Sequence, residues 1–181
     1  MSETGSPGAA AVVLNTNTGE ILSLVSLPAV DNNIFTSGLS SAAFSSVVNN
    51  KNRPLFNRVI SGTYPSGSTI KPFIASAALS EKVISPDSLI DDTLGYIQIQ
   101  NQYYPDIIYT YRDWKAHGFV DMRRAIAVSA NVYFYVVGGG YKNINGLGIG
   151  RIEKYLKLFG FGEKTGVDLP GEASGLVPSP E

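Results

Sequence analysis

The sequence predicts an α/β (α+β) fold with an antiparallel sheet, and three features carry that prediction. Residues 9–25 hold two apolar runs separated by Asn15-Thr16-Asn17-Thr18-Gly19, the pattern of a β-hairpin. Residues 69–80, 120–137 and 148–159 hold apolar runs of helical length, each bounded by Gly, Pro, Ser or Asn. Between the first two helical regions, residues 96–99 and 107–111 alternate weakly and suggest a second, small hairpin.

Composition sets the frame. The chain has 181 residues, 44% of them hydrophobic and 16% charged, which suits one globular domain with a real core. A net charge of −1 with no basic cluster argues against nucleic acid as a partner. No apolar run is long enough to span a bilayer, and no signal-peptide pattern is present. With no cysteine, disulfide and thiolate chemistry are excluded, though the compartment is not fixed by that. Residues 1–8 read as a linker or expression remnant, leaving 9–181 as the domain.

Taken in order, the hairpin at 9–25 needs further strands, because an isolated pair is barely stable. Residues 27–60 are rich in Asn, Ser and Pro and read as a long ordered excursion with one short helix near 40–48. The helix at 69–80 follows. The small hairpin is surrounded by Asp91, Asp92, Asp113 and His117, the single histidine. His117 with nearby aspartates is a conceivable metal site, but no ligand spacing is diagnostic, and the preferred reading is a surface histidine in a loop. A helix at 120–128, with Asp121 in its first turn, ends at Ser129-Ala130-Asn131, and a second apolar helix at 132–137 ends in Gly138-Gly139-Gly140. The helix at 148–159 is amphipathic, with Ile152, Tyr155, Leu156 and Phe159 on one face and Gly160 as its C-cap. Residues 162–181 read as loop.

The chemistry centres on Tyr64-Pro65-Ser66-Gly67-Ser68-Thr69-Ile70-Lys71-Pro72-Phe73. Ser68 sits where a helix begins, and Lys71 follows one turn on, on the same face. A serine hydroxyl is a weak nucleophile until a base takes its proton. A lysine amine is such a base only when neutral, and moving its pKa from about 10.4 to about 7 costs about 4.6 kcal/mol. Burial and the positive end of a helix both push in that direction. Pro72 breaks a local rule here: it removes the donor that would bond the Ser68 carbonyl, so the first turn is irregular or the regular helix starts later. The plain alternative is an N-cap serine followed by a solvated lysine. Ser129 and Asn131 likewise read either as helix caps or as a second serine and an amide lining a cleft over Ser68. In the second reading Ser129 relays a proton, and Asn131 holds a substrate carbonyl or the lysine.

Ser-x-x-Lys followed by Ser-x-Asn belongs, with Lys-Thr-Gly, to penicillin-binding proteins and class A β-lactamases. The stretches YPSGSTIKPF, RDWKAHG, SANVYFY and FGFGEKTGVDLPGEASGLVPSPE resemble the transpeptidase domain of class B penicillin-binding proteins. NRPLFNRVISGTYPSGSTIKPF with RDWKAHG is most similar to the cell-elongation subfamily, penicillin-binding protein 2. The resemblance runs from about Gly8 to Glu181. It implies the penicillin-binding-protein/β-lactamase-like fold, five strands with helices on both faces. It implies a serine D,D-transpeptidase acting on D-Ala-D-Ala stem peptides of peptidoglycan and acylated by β-lactam antibiotics, with no cofactor. Carried over, Ser68 is the nucleophile and its backbone N–H half the oxyanion hole. Lys71 is the general base, Ser129 shuttles a proton to the leaving amine, and Asn131 binds substrate and orients Lys71. The resemblance further implies an upstream membrane anchor and pedestal, placement on the outer face of the cytoplasmic membrane, and work beside a lipid-linked glycan polymerase in an elongation complex.

The departures are equally specific. The family's third motif lies on a strand well after Gly-Leu-Val-Pro-Ser-Pro-Glu, whereas Lys164-Thr165-Gly166 leads into Val167-Asp168-Leu169-Pro170 and reads as a decoy in a loop. The expectation is therefore a truncated domain: the first hairpin plus the helical part, without the third motif, the second oxyanion donor and the later strands. A second chain completing the sheet is one partner this calls for. A scaffold module of the same fold is one alternative. A β-lactam-sensing or hydrolysing relative is another, but it needs a deacylating base, and Glu153 and Glu163 look unsuited. A Ser-His-Asp hydrolase using His117 ranks last, because no Gly-x-Ser-x-Gly elbow is present. Some subfamily members bind zinc near the RDW and His-Gly stretch with a cysteine among the ligands; only Asp113 and His117 remain here, and no metal is expected.

Overall fold

The computed structural model describes residues 5–36, 38 and 40–180, so the first four residues of the expected linker lie outside the described residues. The described residues fall into two units, residues 5–64 with 164–174, and residues 65–163 with 175–180.

The first unit is built on the hairpin. Strands β1 (Ala9–Leu14) and β2 (Ile21–Leu27) pair antiparallel, with Ala9 opposite Leu27 and an irregularity at Val13/Leu14. The turn between them is closed by Asn15, whose carbonyl accepts from Gly19 and whose N–H donates to the Glu20 carbonyl. Val12, Val13, Leu14 and Leu22 stay exposed. The excursion that follows carries helix α1 (Ser41–Val48), where expected, capped by the Ser40 hydroxyl. It is ordered by polar knots rather than by a core. Ser26 Oγ donates to the Phe56 carbonyl and accepts from the Arg58 N–H. The Arg58 guanidinium binds the carbonyls of Asn52, Arg53 and Phe56.

The second unit holds the core. Helix α2 (Lys71–Ser80) is preceded by a tight 3-10 turn, Gly67–Ile70. Strands β3 (Ile90–Asp92) and β6 (Gly118–Val120) pair antiparallel, as do β4 (Tyr96–Gln100) and β5 (Ile108–Arg112). Helices α3 (Met122–Ala127), α4 (Asn131–Gly139) and α5 (Gly148–Leu158) follow. Ala77, Ala78, Val120, Ala125, Val132, Tyr133 and Val137 are fully buried in one cluster, each valine contributing about 1.5–3 kcal/mol by leaving water. The small residues of α2 let α4 approach it closely, and Phe73 packs edge-on against Phe159 and Phe161. At the far end of α2, Glu81 accepts from Lys154 and Tyr155 of α5.

Two expectations need correction, and one element is new. Val120 is not the start of a helix: it is a fully buried residue of β6, and Asp121 is the N-cap of α3, accepting the Arg124 N–H at 2.7 Å. The short β3–β6 pair is an addition, three residues a side, too brief to leave a period in the sequence. His117 is not a surface residue: its side chain is 2% exposed. The pairing of Asp92 with Gly118 draws the His-Gly turn onto β3, where the His117 N–H donates to the Asp92 carbonyl.

Tyr133 is buried among these apolar groups and its hydroxyl has no partner among the described residues. Burial, and the charge of Asp121, push its pKa to about 12. Tyr133→Phe removes that unpaired hydroxyl and is expected to raise stability by about 1 kcal/mol, read as an increased urea midpoint; a lowered midpoint would show a missing partner.

Candidate active site

The irregular first turn resolves the conflict posed by Pro72. Because Pro72 has no N–H, the Ser68 carbonyl instead accepts from the Lys71 N–H, three residues on, in a 3-10 bond. The regular helix starts at Lys71 with Pro72 as its second residue, where a missing N–H costs nothing. Gly67 adopts φ 57°, a conformation other residues take only under strain, and so turns the chain into the 3-10 segment. Ser68 is thereby exposed at the head of α2, while Lys71 is buried.

The Ser129-Ala130-Asn131 turn closes over Lys71. Ser129 has φ 55°, left-handed for a non-glycine residue. In that conformation its carbonyl and its hydroxyl both face the lysine. Lys71 Nζ donates to the Ser129 carbonyl at 2.7 Å, to Ser129 Oγ at 3.1 Å and to Asn131 Oδ1 at 2.7 Å. Ser129 Oγ in turn donates to Ser68 Oγ at 2.9 Å. All four residues singled out from the sequence meet in one hydrogen-bonded chain. The capping reading of Ser129 and Asn131 does not hold: the N-cap of α4 is Ala130, and neither polar side chain caps the helix.

Burial lowers the Lys71 pKa from the usual lysine value, and the Asp113 charge opposes this in part. Phe134 adds a ring face 5.4 Å from Nζ. Phe134 is three residues after Asn131 and on its face, a helical spacing that a reading focused on polar residues passes over. Beside Ser68 lies an apolar cleft of about 340 Å³ lined by Ile74, Asn131, Phe134, Tyr135 and Ile152. A buried primary amine joined through one hydroxyl to an exposed second hydroxyl is an arrangement for activating a serine nucleophile.

A profile of the penicillin binding protein transpeptidase domain matches residues 9–181. The chain belongs to the penicillin-binding-protein transpeptidase family. The peptidoglycan D,D-transpeptidase MrdA of Acinetobacter baumannii is 41% identical over 174 residues, covering 95% of this chain and 24% of the relative. The chain thus spans about a quarter of the length of that relative. Among solved structures, Pseudomonas aeruginosa PBP2 in complex with WCK 5153 is 39% identical with a TM-score of 0.80, covering 97% of this chain and 36% of that one. Helicobacter pylori PBP2, solved as a complex with MreC, is 33% identical with a TM-score of 0.81, covering 95% and 30%. The mixed α/β architecture is therefore that of a penicillin-binding-protein transpeptidase.

Lys164-Thr165-Gly166 sits in a loop of the first unit, whereas Ser68, Lys71, Ser129 and Asn131 are all in the second. Behind the Ser129 turn, Asp92, Asp113 and His117 bring three potential ligand atoms within 4.8 Å of one another. The cysteine ligand of the zinc site implied by the resemblance has no counterpart here, and two atoms of this cluster, Asp92 Oδ1 and His117 Nε2, are buried without a hydrogen-bond partner among the described residues. A closed structural site takes four ligands, the chain has no cysteine, and both oxygens of Asp113 already accept backbone N–H groups, from Trp114 and Val132. Asp91 stands apart and caps its own turn through the Thr93 N–H.

The lowered Lys71 pKa has a signed consequence for stability. Between its folded value and about 10.5 the folded chain binds fewer protons than the unfolded chain, so stability rises with pH across that window. The difference in urea midpoint between the parent and Lys71→Met is expected to shift in the parent's favour from neutral pH towards 10.5. A flat difference curve would mean that the amine titrates as in water.

Proposed function

We propose that this chain carries the acylating half-site of a peptidoglycan D,D-transpeptidase. The observation that carries the reading is the continuous path from Lys71 Nζ through Ser129 Oγ to Ser68 Oγ, at 3.1 and 2.9 Å. With the amine neutral, that path runs in reverse. Ser68 Oγ passes its proton towards Lys71 as the oxygen attacks the carbonyl carbon of the penultimate D-Ala. The peptide C–N bond then breaks, and the departing D-Ala amine takes a proton back by way of Ser129. An ester on Ser68 remains for an acceptor amine to resolve. A β-lactam carbonyl enters the same sequence, with the ring amide as the broken bond. The Ser68 N–H lies in the first turn of the 3-10 segment, where helix geometry gives it no internal partner, and so supplies one oxyanion donor. Asn131, already fixed by Lys71, presents its amide nitrogen to the substrate.

The relatives support this reading: the Acinetobacter baumannii protein is a peptidoglycan D,D-transpeptidase by name. On that basis the enzyme works in the cell envelope, at the outer face of the cytoplasmic membrane, within an elongation complex beside a lipid-linked glycan polymerase. The complex of the Helicobacter pylori relative with MreC supports such a partnership. No described helix is long and apolar enough to cross a membrane. A β-lactam-hydrolysing role is disfavoured, because Glu153 is ion-paired with Lys157 at 2.6 Å on α5 and neither it nor Glu163 lines the cleft at Ser68.

Intact-mass detection of a fluorescent penicillin adduct tests the proposal. One adduct per chain is expected, persisting over many minutes and absent from Ser68→Ala. Lys71→Met is expected to slow its formation by about 10²–10⁴, the worth of a general base. A folded parent that forms no adduct would leave a scaffold of the same fold, and rapid release of the adduct would point to a hydrolase.

A further inference from the structure

We infer that the Asp113 carboxylate is a metal-free anchor for the N-terminus of α4, and that with Trp114 it clamps the turn that cages Lys71. The first N–H groups of a helix have no partner inside it. The N-cap of α4 is an alanine and accepts nothing through its side chain. Asp113 supplies the missing acceptor from 19 positions away, taking the Val132 N–H on Oδ2 at 2.7 Å. Its other oxygen takes the Trp114 N–H at 2.8 Å. A carboxylate at the positive end of a nine-residue helix is favourable in its own right.

The next residue grips the other side of the turn. Trp114 Nε1 donates to the carbonyl of Val128, the C-cap of α3, at 3.2 Å. Between these two contacts lie Ser129 and Asn131, which supply all three acceptors of Lys71 Nζ. Asp113 and Trp114 are thus adjacent in sequence and hold the two ends of the turn at 128 and 132. The Asp113 side chain is fully buried, and His117 packs behind it, with Nδ1 2.8 Å from Asp92 Oδ2 and 3.8 Å from Asp113 Oδ2. The Trp114 and His117 rings meet edge-on at 5.0 Å. The His117–Asp92 contact joins the cluster behind Asp113, while His117 Nε2 and Asp92 Oδ1 are buried without a partner among the described residues. Asp113 is therefore a positioning residue: it acts on Lys71 through the turn and by its charge, and touches neither Ser68 nor the cleft.

The anchoring is independent of the acyl-enzyme reading, but its effect on rate rests on it, so the test has two arms. In the first, Asp113→Ala is expected to speed amide exchange at Val132 by between about tenfold and about a hundredfold, the range for one lost hydrogen bond to a charged group. Asp113→Asn, which keeps one uncharged acceptor oxygen, is expected to exchange at a rate between those of the parent and Asp113→Ala. Val137→Ala, in the same helix but away from the turn, serves as the control of matched thermal destabilisation and is expected to leave Val132 protected. In the second arm, Asp113→Ala is expected to lower the acylation rate constant for a fluorescent penicillin by about tenfold or more while leaving the initial binding constant nearly unchanged. Val137→Ala leaves both unchanged. Should Asp113→Ala not fold, Asp113→Asn and Trp114→Phe carry both arms with smaller effects in the same direction. Unchanged Val132 exchange in the Asp113 variants, or equal exchange in Val137→Ala, would overturn the inference. So would one equivalent of zinc on the purified chain whose removal reproduces the Asp113→Ala behaviour. A parent that is never acylated sinks the proposed function, and the exchange arm still decides the anchor.

Discussion

The three hydrogen bonds that Lys71 Nζ makes to the Ser129–Asn131 turn are the interaction on which the second unit depends. An ammonium taken out of water without acceptors costs several kcal/mol. Here the carbonyl and hydroxyl of Ser129 and the amide oxygen of Asn131 replace its hydration shell. The replacement is partial: burial still outweighs the opposing charge of Asp113, and the pKa falls. That intermediate state suits a base. A lysine paired directly with a carboxylate would hold its proton too tightly, and one surrounded by hydrocarbon alone would leave no polar path to Ser68. Neutral acceptors with one charge held at a distance give an amine that releases its proton more readily than a surface lysine and still keeps a fixed direction.

That direction depends on two places where the backbone leaves its preferred geometry. The 3-10 turn before α2 exists because Pro72 cannot bond the Ser68 carbonyl, and it sets Ser68 out at the mouth of the cleft. Ser129 at φ 55° costs about 1–3 kcal/mol, and in return its carbonyl and hydroxyl converge on one nitrogen. Both departures adjoin the tightest packing in the unit. Ala75, Ala77 and Ala78 on α2, and Val132, Tyr133, Val136 and Val137 on α4, are almost wholly buried. The strained turn itself joins α3 to α4.

Much of this was legible in the sequence because it is local. The placement of Ser68 one turn before Lys71 follows from helical spacing, the irregular first turn from a single proline, and α4 and α5 from apolar runs followed by glycine, although α4 continues through Gly138 and Gly139, where the sequence predicts its end. What could not be read is what joins distant segments. The β3–β6 pair is three residues long and leaves no alternation. His117 has the surroundings of a loop histidine until β6 folds onto β3 and covers it. Asp113 reads as one acid among several in a turn-rich stretch. Its role exists only because the chain brings position 113 to the N-H of position 132, and a sequence has no periodicity that marks such a meeting. Ser129 and Asn131 fall between these cases, since their residue types suited capping equally well until Ala130 proved to be the cap.

Lys164-Thr165-Gly166 shows why three letters are not a motif. An oxyanion site needs donors that are aimed at empty space and unpaired until the substrate arrives. Here the Thr165 N–H and hydroxyl both donate to Glu172 Oε1, at 2.7 and 2.6 Å, and the Gly166 N–H donates to the other oxygen at 3.3 Å. Those bonds, led by the Thr165 hydroxyl, hold the Glu172 carboxyl below its usual pKa, so the carboxylate stays charged and the donors stay taken across the neutral range. The tripeptide functions as an anion nest for its own chain. To serve an oxyanion it would have to expel a carboxylate that lies six or seven residues away and never diffuses off.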